Sequence, residues 1–311
     1  MRVCEYGVEL FFCVSGYAIV QSMNRAAGPL TFLRARALRI VPLLWINIAA
    51  SGIAGLLSGQ RQLWSLGSNE LVLVGLANML ALPGIFPVPT FNPATWSLSY
   101  EALFYCFCAL WMTLGRHHLS VSRIAILTAV GIALLIYPRA LPFVVGLLVG
   151  LKQKVHVRVL ESSPGLMIVA FLAIWAVIQA LTADDLLLID TTLVDWSDDL
   201  RLPLAIVALC ALTFGLRGLL AGNGVLGRFL TSSPMQFLGT ISYSFYLWQN
   251  SAIGMSRRLI RVFIASDPQN PLGMTIFPIL TIVILLPLSM ASHKIIEVYI
   301  PKLIRKRFNI A

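Results

Sequence analysis

Apolar segments close to the length that crosses a bilayer recur along the whole chain, and they constrain its fold more than any other feature. A spanning helix needs roughly 20 predominantly apolar residues. Because lipid offers no hydrogen bonds to the backbone, such segments are predicted to be helices. Nine segments fit this pattern: Val8–Ser22, Leu38–Leu57, Thr95–Leu114, Ile124–Tyr137, Leu141–Leu151, Gly165–Thr182, Leu202–Leu216, Gln236–Met255 and Met274–Ile296.

Two of the nine segments are short, and a tenth apolar stretch is shorter than a usual span. Ile124–Tyr137 and Leu141–Leu151 are separated only by Pro138 and Arg139, which favours a tight helical hairpin. Leu71–Leu82 is followed by the run PGIFPVPTFNP, whose prolines exclude a helix. We therefore expect Leu71–Leu82 to be re-entrant or buried against other helices.

The composition excludes a soluble domain. Only 12% of the 311 residues are charged, whereas soluble domains usually carry about 25%. The predicted fold class is an all-α polytopic membrane bundle of about nine spans, forming a single domain over residues 1–311. The cysteines lack metal-ligand spacing, so no metal site is predicted. The sequence has no Walker loop, zinc motif or dinucleotide fingerprint, and no bound cofactor is predicted.

The net charge of +10 follows from short basic loops and a basic C-terminus. Basic residues in these positions orient helices and attract anionic membrane lipid, and they do not indicate a nucleic-acid partner. If Leu71–Leu82 does not cross, most basic loops share one side, predicted to be the cytoplasm, and the acidic loop at 183–200 lies opposite. One basic stretch does not fit this topology, because it falls on the outer side: Arg257, Arg258 and Arg261. It also places Met1 outside, whereas one more upstream helix would return the N-terminus to the inside.

Ionisable residues inside apolar segments are candidate functional groups. Glu9 is interpreted as an interface residue that reaches water. Arg36 and Arg39 share a helix face, which suits phosphate binding and equally suits simple helix orientation. Glu101 lies six residues into TWSLSYEALFYCF, and a buried polar role is predicted for it.

Polar residues also recur toward the C-terminus. Tyr243, Tyr246 and Asn250 have helical spacing on one face, which fits an interfacial belt with interhelical hydrogen bonds. His293 and Glu297 are interpreted as a surface pair, and the remaining histidines as solvated loop residues: His117, His118 and His156. From the residues alone, the prediction stops at a multi-spanning membrane protein with a few polar intramembrane clusters.

Five motifs in order resemble the acyltransferase 3 family of bacterial membrane proteins. GVELFFCVSGY, which contains Glu9 and Ser15, resembles the family's GVDLFFVLSGF. Arg36-x-x-Arg39 ahead of a proline resembles its RxxR. TWSLSYEALFY matches TWSLSxExxFY, ISYSFYLWQ resembles ISYSLYLWH, and HKIIEVYIPK resembles the closing xxxxEKP.

The resemblance implies transfer of an acyl group, usually acetyl, from cytoplasmic acyl-CoA to a hydroxyl of a carbohydrate acceptor. The exopolysaccharide and lipopolysaccharide acetyltransferases are the most similar type. It implies a multi-pass protein of the bacterial inner membrane, with Arg36 and Arg39 at the donor. The site-shaping residues that it implies are Glu9, Ser15, Glu101, Tyr243 and Gln249.

Two departures from the family pattern concern catalysis. The family's catalytic histidine precedes the GVDLFF motif, and this chain begins six residues before its match, so the catalytic residue is unassigned. Gln249 replaces the histidine of YLWH, and because a glutamine amide cannot titrate, it cannot act as the general base. We expect a chain truncated by one helix relative to the family, and inactive in the 311-residue form. An inactive relative, or a transporter or flippase of lipid-linked sugars, is the alternative.

Overall fold

The computed structural model describes residues 7–58, 65–114, 121–151, 158–181, 195, 200–263 and 271–308. Within these ranges the chain is helical and has no β-strand, only an isolated bridge between Pro83 and Phe86, which confirms the all-α prediction. Most of the acidic loop at 183–200 lies outside the described residues, as do the three loop histidines His117, His118 and His156.

Thirteen α-helices follow one another in the described part of the chain. They are α1 (Gly7–Arg25), α2 (Pro29–Leu57), α3 (Ser68–Met79), α4 (Trp96–Thr113), α5 (Val121–Ile136), α6 (Leu141–Gly150), α7 (Arg158–Glu161), α8 (Pro164–Ala180), α9 (Arg201–Leu220), α10 (Gly224–Leu230), α11 (Ser233–Phe263), α12 (Pro271–Ser292) and α13 (Ile300–Phe308). Two 3₁₀ turns, Pro93–Thr95 and Pro138–Ala140, and a π-helix, His293–Tyr299, complete the helical structure.

Three continuous helical stretches are long and apolar enough to cross a membrane: Pro29–Leu57, Arg201–Leu220 and Gly273–Arg307. A fourth is added if the bent pair Ser122–Ile136 and Pro138–Gly150 counts as one span. The number of nine spans therefore stays a prediction. The last stretch has 35 residues and is about 52 Å long, well beyond the roughly 30 Å hydrocarbon thickness. Its basic C-terminal end can therefore extend past the apolar layer.

The tight hairpin predicted around Pro138 is instead a bend. The direction of the chain changes by 115° between the two helices. Tyr137 leaves helical geometry with φ −123° and ψ 74°, because a residue before proline is driven out of the α region. A 3₁₀ turn then places Arg139 at the corner, where it is buried.

The short helix α3 and the irregular run after it correspond to the segment predicted to be re-entrant or buried against other helices. Three of the five leucine and valine side chains on α3 are exposed, so α3 is not buried, and the re-entrant placement stays a prediction. α3 has 12 residues, about 18 Å of rise. The buried Asn78 fixes the irregular run, because its Nδ2 donates to the carbonyls of Val74 and Pro89 at 2.8 Å and its Oδ1 accepts from the Phe91 amide at 3.0 Å. Such bonds replace the backbone pairing that a proline-rich segment in an apolar environment lacks.

The chain divides into two compact units that interleave along the sequence. Unit 1 comprises Met1–Leu33 and Leu103–Gln236, and unit 2 comprises Arg34–Ala102 and Phe237–Ala311. The core of unit 1 is centred on Phe171, Trp175 and Ala208, all fully buried. The core of unit 2 contains Leu43, Leu44, Leu98, Tyr243, Leu247 and Ile296.

In unit 1, α1 and α6 approach closely through glycines. A side chain on Gly146 would collide with the backbone at the Cys13 carbonyl and at the Tyr17 amide, 2.7 Å from the added carbon. A side chain on Gly16 would likewise meet the Phe143 carbonyl. Small residues let membrane helices pack at short range, where van der Waals contact replaces the hydrophobic effect.

This packing predicts that Gly146→Ala destabilises the protein by about 1–3 kcal/mol, the usual cost of overpacking. The matched control is Gly131→Ala in α5, where an added carbon meets no atom within 4 Å. Thermal stability of the two purified variants in detergent measures the difference. Equal melting temperatures for both variants would contradict the close α1–α6 contact.

Candidate functional site

Unit 1 contains a buried ion pair that the sequence did not reveal. Arg139 Nη2 and Nε lie 2.8 and 2.9 Å from Glu9 Oε1, and the two side chains are 5% and 0% exposed. The interpretation of Glu9 as an interface residue that reaches water is therefore wrong, because α1 turns it toward the corner before α6. Ser15 on the same helix is also buried. The only available signal for Arg139 was an arginine between two apolar segments.

The burial of this ion pair predicts a large loss of stability when either partner is removed. Removing one partner of a buried pair leaves an uncompensated charge and costs about 3–5 kcal/mol. We expect this loss for Arg139→Gln, and a smaller loss than the sum of the single changes for Glu9→Gln/Arg139→Gln, since contacting residues are not additive. Arg25→Gln, an exposed change at the end of α1, serves as control in thermal unfolding. Additive losses would contradict the pairing.

In unit 2, α2 carries the two arginines of the RxxR motif. Arg36 is 8% exposed, whereas Arg39 is exposed, so the two side chains differ in environment although they are one turn apart. Arg36 continues a stripe of α2 in which Leu43 and Asn47 are buried. Ile40, which lies between Arg36 and Leu43, is half-buried and packs against the core of unit 2. The stripe lies on the α2 face that contacts α11.

The polar face predicted for α11 binds its neighbours in unit 2. The Tyr243 hydroxyl donates to the Ile40 carbonyl at 2.9 Å, and the Tyr246 hydroxyl lies 2.8 Å from Ser97 Oγ. These contacts agree with the predicted interhelical hydrogen bonds. Gln249 is half-buried on the same helix.

Three asparagines form a hydrogen-bond network in the core of unit 2, and two of them donate to the Leu247 carbonyl. Asn92 Nδ2 donates to Asn47 Oδ1 at 2.6 Å and to the Leu247 carbonyl at 2.9 Å. Its Oδ1 accepts from Asn250 Nδ2 at 2.8 Å and from the Ala94 amide at 3.0 Å. Asn47 Nδ2 also donates to the Leu247 carbonyl at 3.1 Å. The Asn92 side chain therefore links α2, α11 and the turn before α4.

Because Asn92 makes four hydrogen bonds, Asn92→Ala should cost more than an average surface change. Each buried group left without its partner costs about 1–3 kcal/mol. Asn223→Ala, which removes a single bond from Asn223 Nδ2 to the Glu161 carbonyl at 3.0 Å, is the control. Thermal unfolding in detergent compares the stability of the two variants. A larger loss of stability for Asn223→Ala than for Asn92→Ala would contradict the central role of the Asn92 side chain in unit 2.

Glu297 is a third carboxylate with a nearly buried side chain, after Glu9 and Glu101. The interpretation of His293–Glu297 as a surface pair is therefore wrong for Glu297. The Glu297 side chain is 8% exposed, and its Oε2 lies 3.3 Å from His293 Nδ1. Ser244 Oγ on α11 donates to Glu297 Oε1. Ser292 Oγ accepts from Trp248 Nε1 at 2.9 Å and lies 3.3 Å from Ser244 Oγ. The π-helix and the preceding turn are thus bonded to α11.

The predicted site residues divide between the two units. Glu9 and Ser15 lie in unit 1, while Arg36, Arg39, Glu101, Tyr243 and Gln249 lie in unit 2. Glu101 is 5% exposed in α4, so its predicted burial is confirmed. Sequence reasoning did not anticipate Arg139, Asn47, Asn92 or a role for Glu297.

Long apolar helices joined by buried polar contacts define a helical membrane protein. A family model described as an acyltransferase domain matches residues 1–292. The chain belongs to the acyltransferase 3 family, whose members are membrane proteins.

Two curated relatives are similar to this chain. The exopolysaccharide production protein ExoZ of Rhizobium meliloti (strain 1021) is 30% identical over 268 residues, which cover 80% of this chain and 76% of that protein. Nodulation protein 10 of Rhizobium leguminosarum bv. viciae is 40% identical over 53 residues, 17% of this chain and 14% of that protein. No solved structure matches the chain.

Proposed function

We propose that the product of this gene, expressed from its own locus, transfers an acetyl group from cytoplasmic acyl-CoA to a hydroxyl of a cell-envelope or secreted polysaccharide. The observation that carries the proposal is the family match over residues 1–292. The similarity to a protein named for exopolysaccharide production supports the acceptor class. The bacterial inner membrane is the proposed location.

The chemistry requires a donor site and an acid–base group. The acceptor oxygen attacks the thioester carbonyl, the C–S bond breaks, and the hydroxyl proton ends on the departing thiolate. A positioned base accelerates this proton transfer, and the base stays unassigned. Gln249, at the family's histidine position, cannot titrate.

We assign Arg36 and Arg39 to the donor, as ligands of the phosphates of coenzyme A. A guanidinium binds phosphate oxygens through two parallel N–H groups, which a lysine cannot reproduce. Arg36 supports this role because it is nearly buried, where charge-assisted hydrogen bonds are less screened by solvent. Arg39 is exposed one turn later and can reach a second group of the same ligand.

Mass analysis of the polysaccharide tests the activity. Deleting the gene at its own locus should remove acetyl groups from one glycan, and restoring the wild-type gene should return them. Unchanged acetylation in the deletion strain would remove the enzyme proposal. A loss of polysaccharide export with acetylation intact would favour a transporter or flippase of lipid-linked sugars.

Kinetics in membrane vesicles test the donor site. Hydrogen bonds to charged groups contribute about 1.5–3 kcal/mol, so Arg36→Gln should raise KM for acetyl-CoA about tenfold or more, at unchanged kcat. Arg39→Gln should act in the same direction and less strongly, since it is exposed. Arg34→Gln, exposed on the same helix, is the matched control. Equal KM values for all three variants would exclude these arginines as donor ligands.

A further inference from the structure

We propose that Glu297 is a positioning residue for donor binding, which acts on Arg36 through α11 and not by contact with the substrate. The inference rests on the proposed function, because it takes acyl-CoA as the ligand of the arginines. It assigns a role to a buried carboxylate on the π-helix that the donor chemistry does not use.

The first link joins the π-helix to α11. Glu297 accepts from Ser244, which is fully buried, and also lies 3.3 Å from His293. Ser292 bonds both Ser244 and Trp248 on α11. The Ser244 and Trp248 contacts are about one helical turn apart on α11. Together they fix the rotation of α11 relative to the π-helix within unit 2.

The second link joins α11 to α2. Tyr243 is the residue next to Ser244, so a rotation of α11 that releases Ser244 also moves the Tyr243 ring. Its hydroxyl donates to the Ile40 carbonyl at 2.9 Å. Ile40 lies four residues after Arg36, on the same helix face. The direction in which Arg36 leaves α2 therefore depends on the α2–α11 contact.

Apolar packing holds α2, α11 and the π-helix together within unit 2. Ile296, next to Glu297, belongs to the same buried cluster as Leu43, Leu44 and Leu247, and Ile40 packs against that cluster. Proline at position 42 removes one backbone hydrogen bond from α2 just after the arginines. Side-chain contacts from α11 can thus set the geometry of a segment whose own helical bonding is weakened.

A π-helix supports the idea of a specific task for this turn. π-helical turns are rare and occur often at functional sites. Here His293–Tyr299 is π-helical, and the changed winding sets the direction in which Glu297 points. A purely packing role would be met by an apolar side chain, without the cost of burying a carboxylate.

The test measures donor kinetics of Glu297→Ala in vesicles made from cells that carry the variant gene at its own locus. KM for acetyl-CoA should rise about tenfold while kcat changes less than twofold. Glu297→Gln retains an oxygen for Ser244 and should stay within about threefold of wild type. Lys294→Gln, an exposed change on the same π-helix, is the control. All rates are divided by the amount of the variant protein present in the membrane.

A double-variant cycle separates positioning from general stability. If Glu297 acts through Arg36, then Glu297→Ala should raise KM very little further once Arg36→Gln is present. Both changes remove the same contribution of Arg36 to donor binding, and that contribution can be lost only once. Ser244→Ala removes the same hydrogen bond from the other side and should give the same KM shift, which keeps the test valid if Glu297→Ala does not fold.

The inference is overturned if Glu297→Ala and Ser244→Ala leave KM unchanged, if the cycle is additive, or if Glu297→Gln is as poor as Glu297→Ala. These outcomes differ from a failure of the proposed donor site. In that case Arg36→Gln itself would leave KM unchanged in an otherwise active enzyme.

Discussion

Polar groups that lie among apolar helices must find partners inside the protein, and this constraint organises both units. An unpaired amide, carboxylate or guanidinium in such surroundings is costly. Glu9 therefore pairs with Arg139 in unit 1. In unit 2, Asn92 binds four groups, and Glu297 binds Ser244 and His293. Each polar contact also selects one packing of helices, because an apolar seam alone would tolerate several.

Helix α11 carries much of this organisation in unit 2. Its residues contact α2, the π-helix and the turn before α4 within a stretch of eight residues, about 10 Å along the axis. The contacting residues are Tyr243, Ser244, Leu247 and Asn250. The contacts of Tyr243 and Glu297 lie at the end nearest Arg36 and the basic helix α13. The side of the membrane on which Arg36 and the basic C-terminus lie stays a prediction.

The helical content and several faces could be predicted from the sequence. Proline spacing excluded a helix in the run after Leu82, and the bend at Pro138 lies where two apolar segments were separated. The spacing of Tyr243, Tyr246 and Asn250 predicted a common face, and all three make contacts between elements. The five motifs alone indicated the family, and the family match over residues 1–292 confirms it. These successes rest on local geometry, which a helix repeats every 3.6 residues.

The sequence by itself determined that the chain forms apolar helices, that Arg36 and Arg39 lie one turn apart, and that the family is acyltransferase 3. Only the tertiary structure decided which polar residues meet. Glu9 and Arg139 are 130 residues apart, and Asn92 and Leu247 are 155 apart. In a membrane, a side chain that faces lipid and one that faces another helix are both apolar. On α12, Leu285 is buried and Val283 is 61% exposed, and no pattern of hydropathy distinguishes them. Burial of Glu9 and Glu297 was therefore fixed by helix neighbours that local periodicity does not encode.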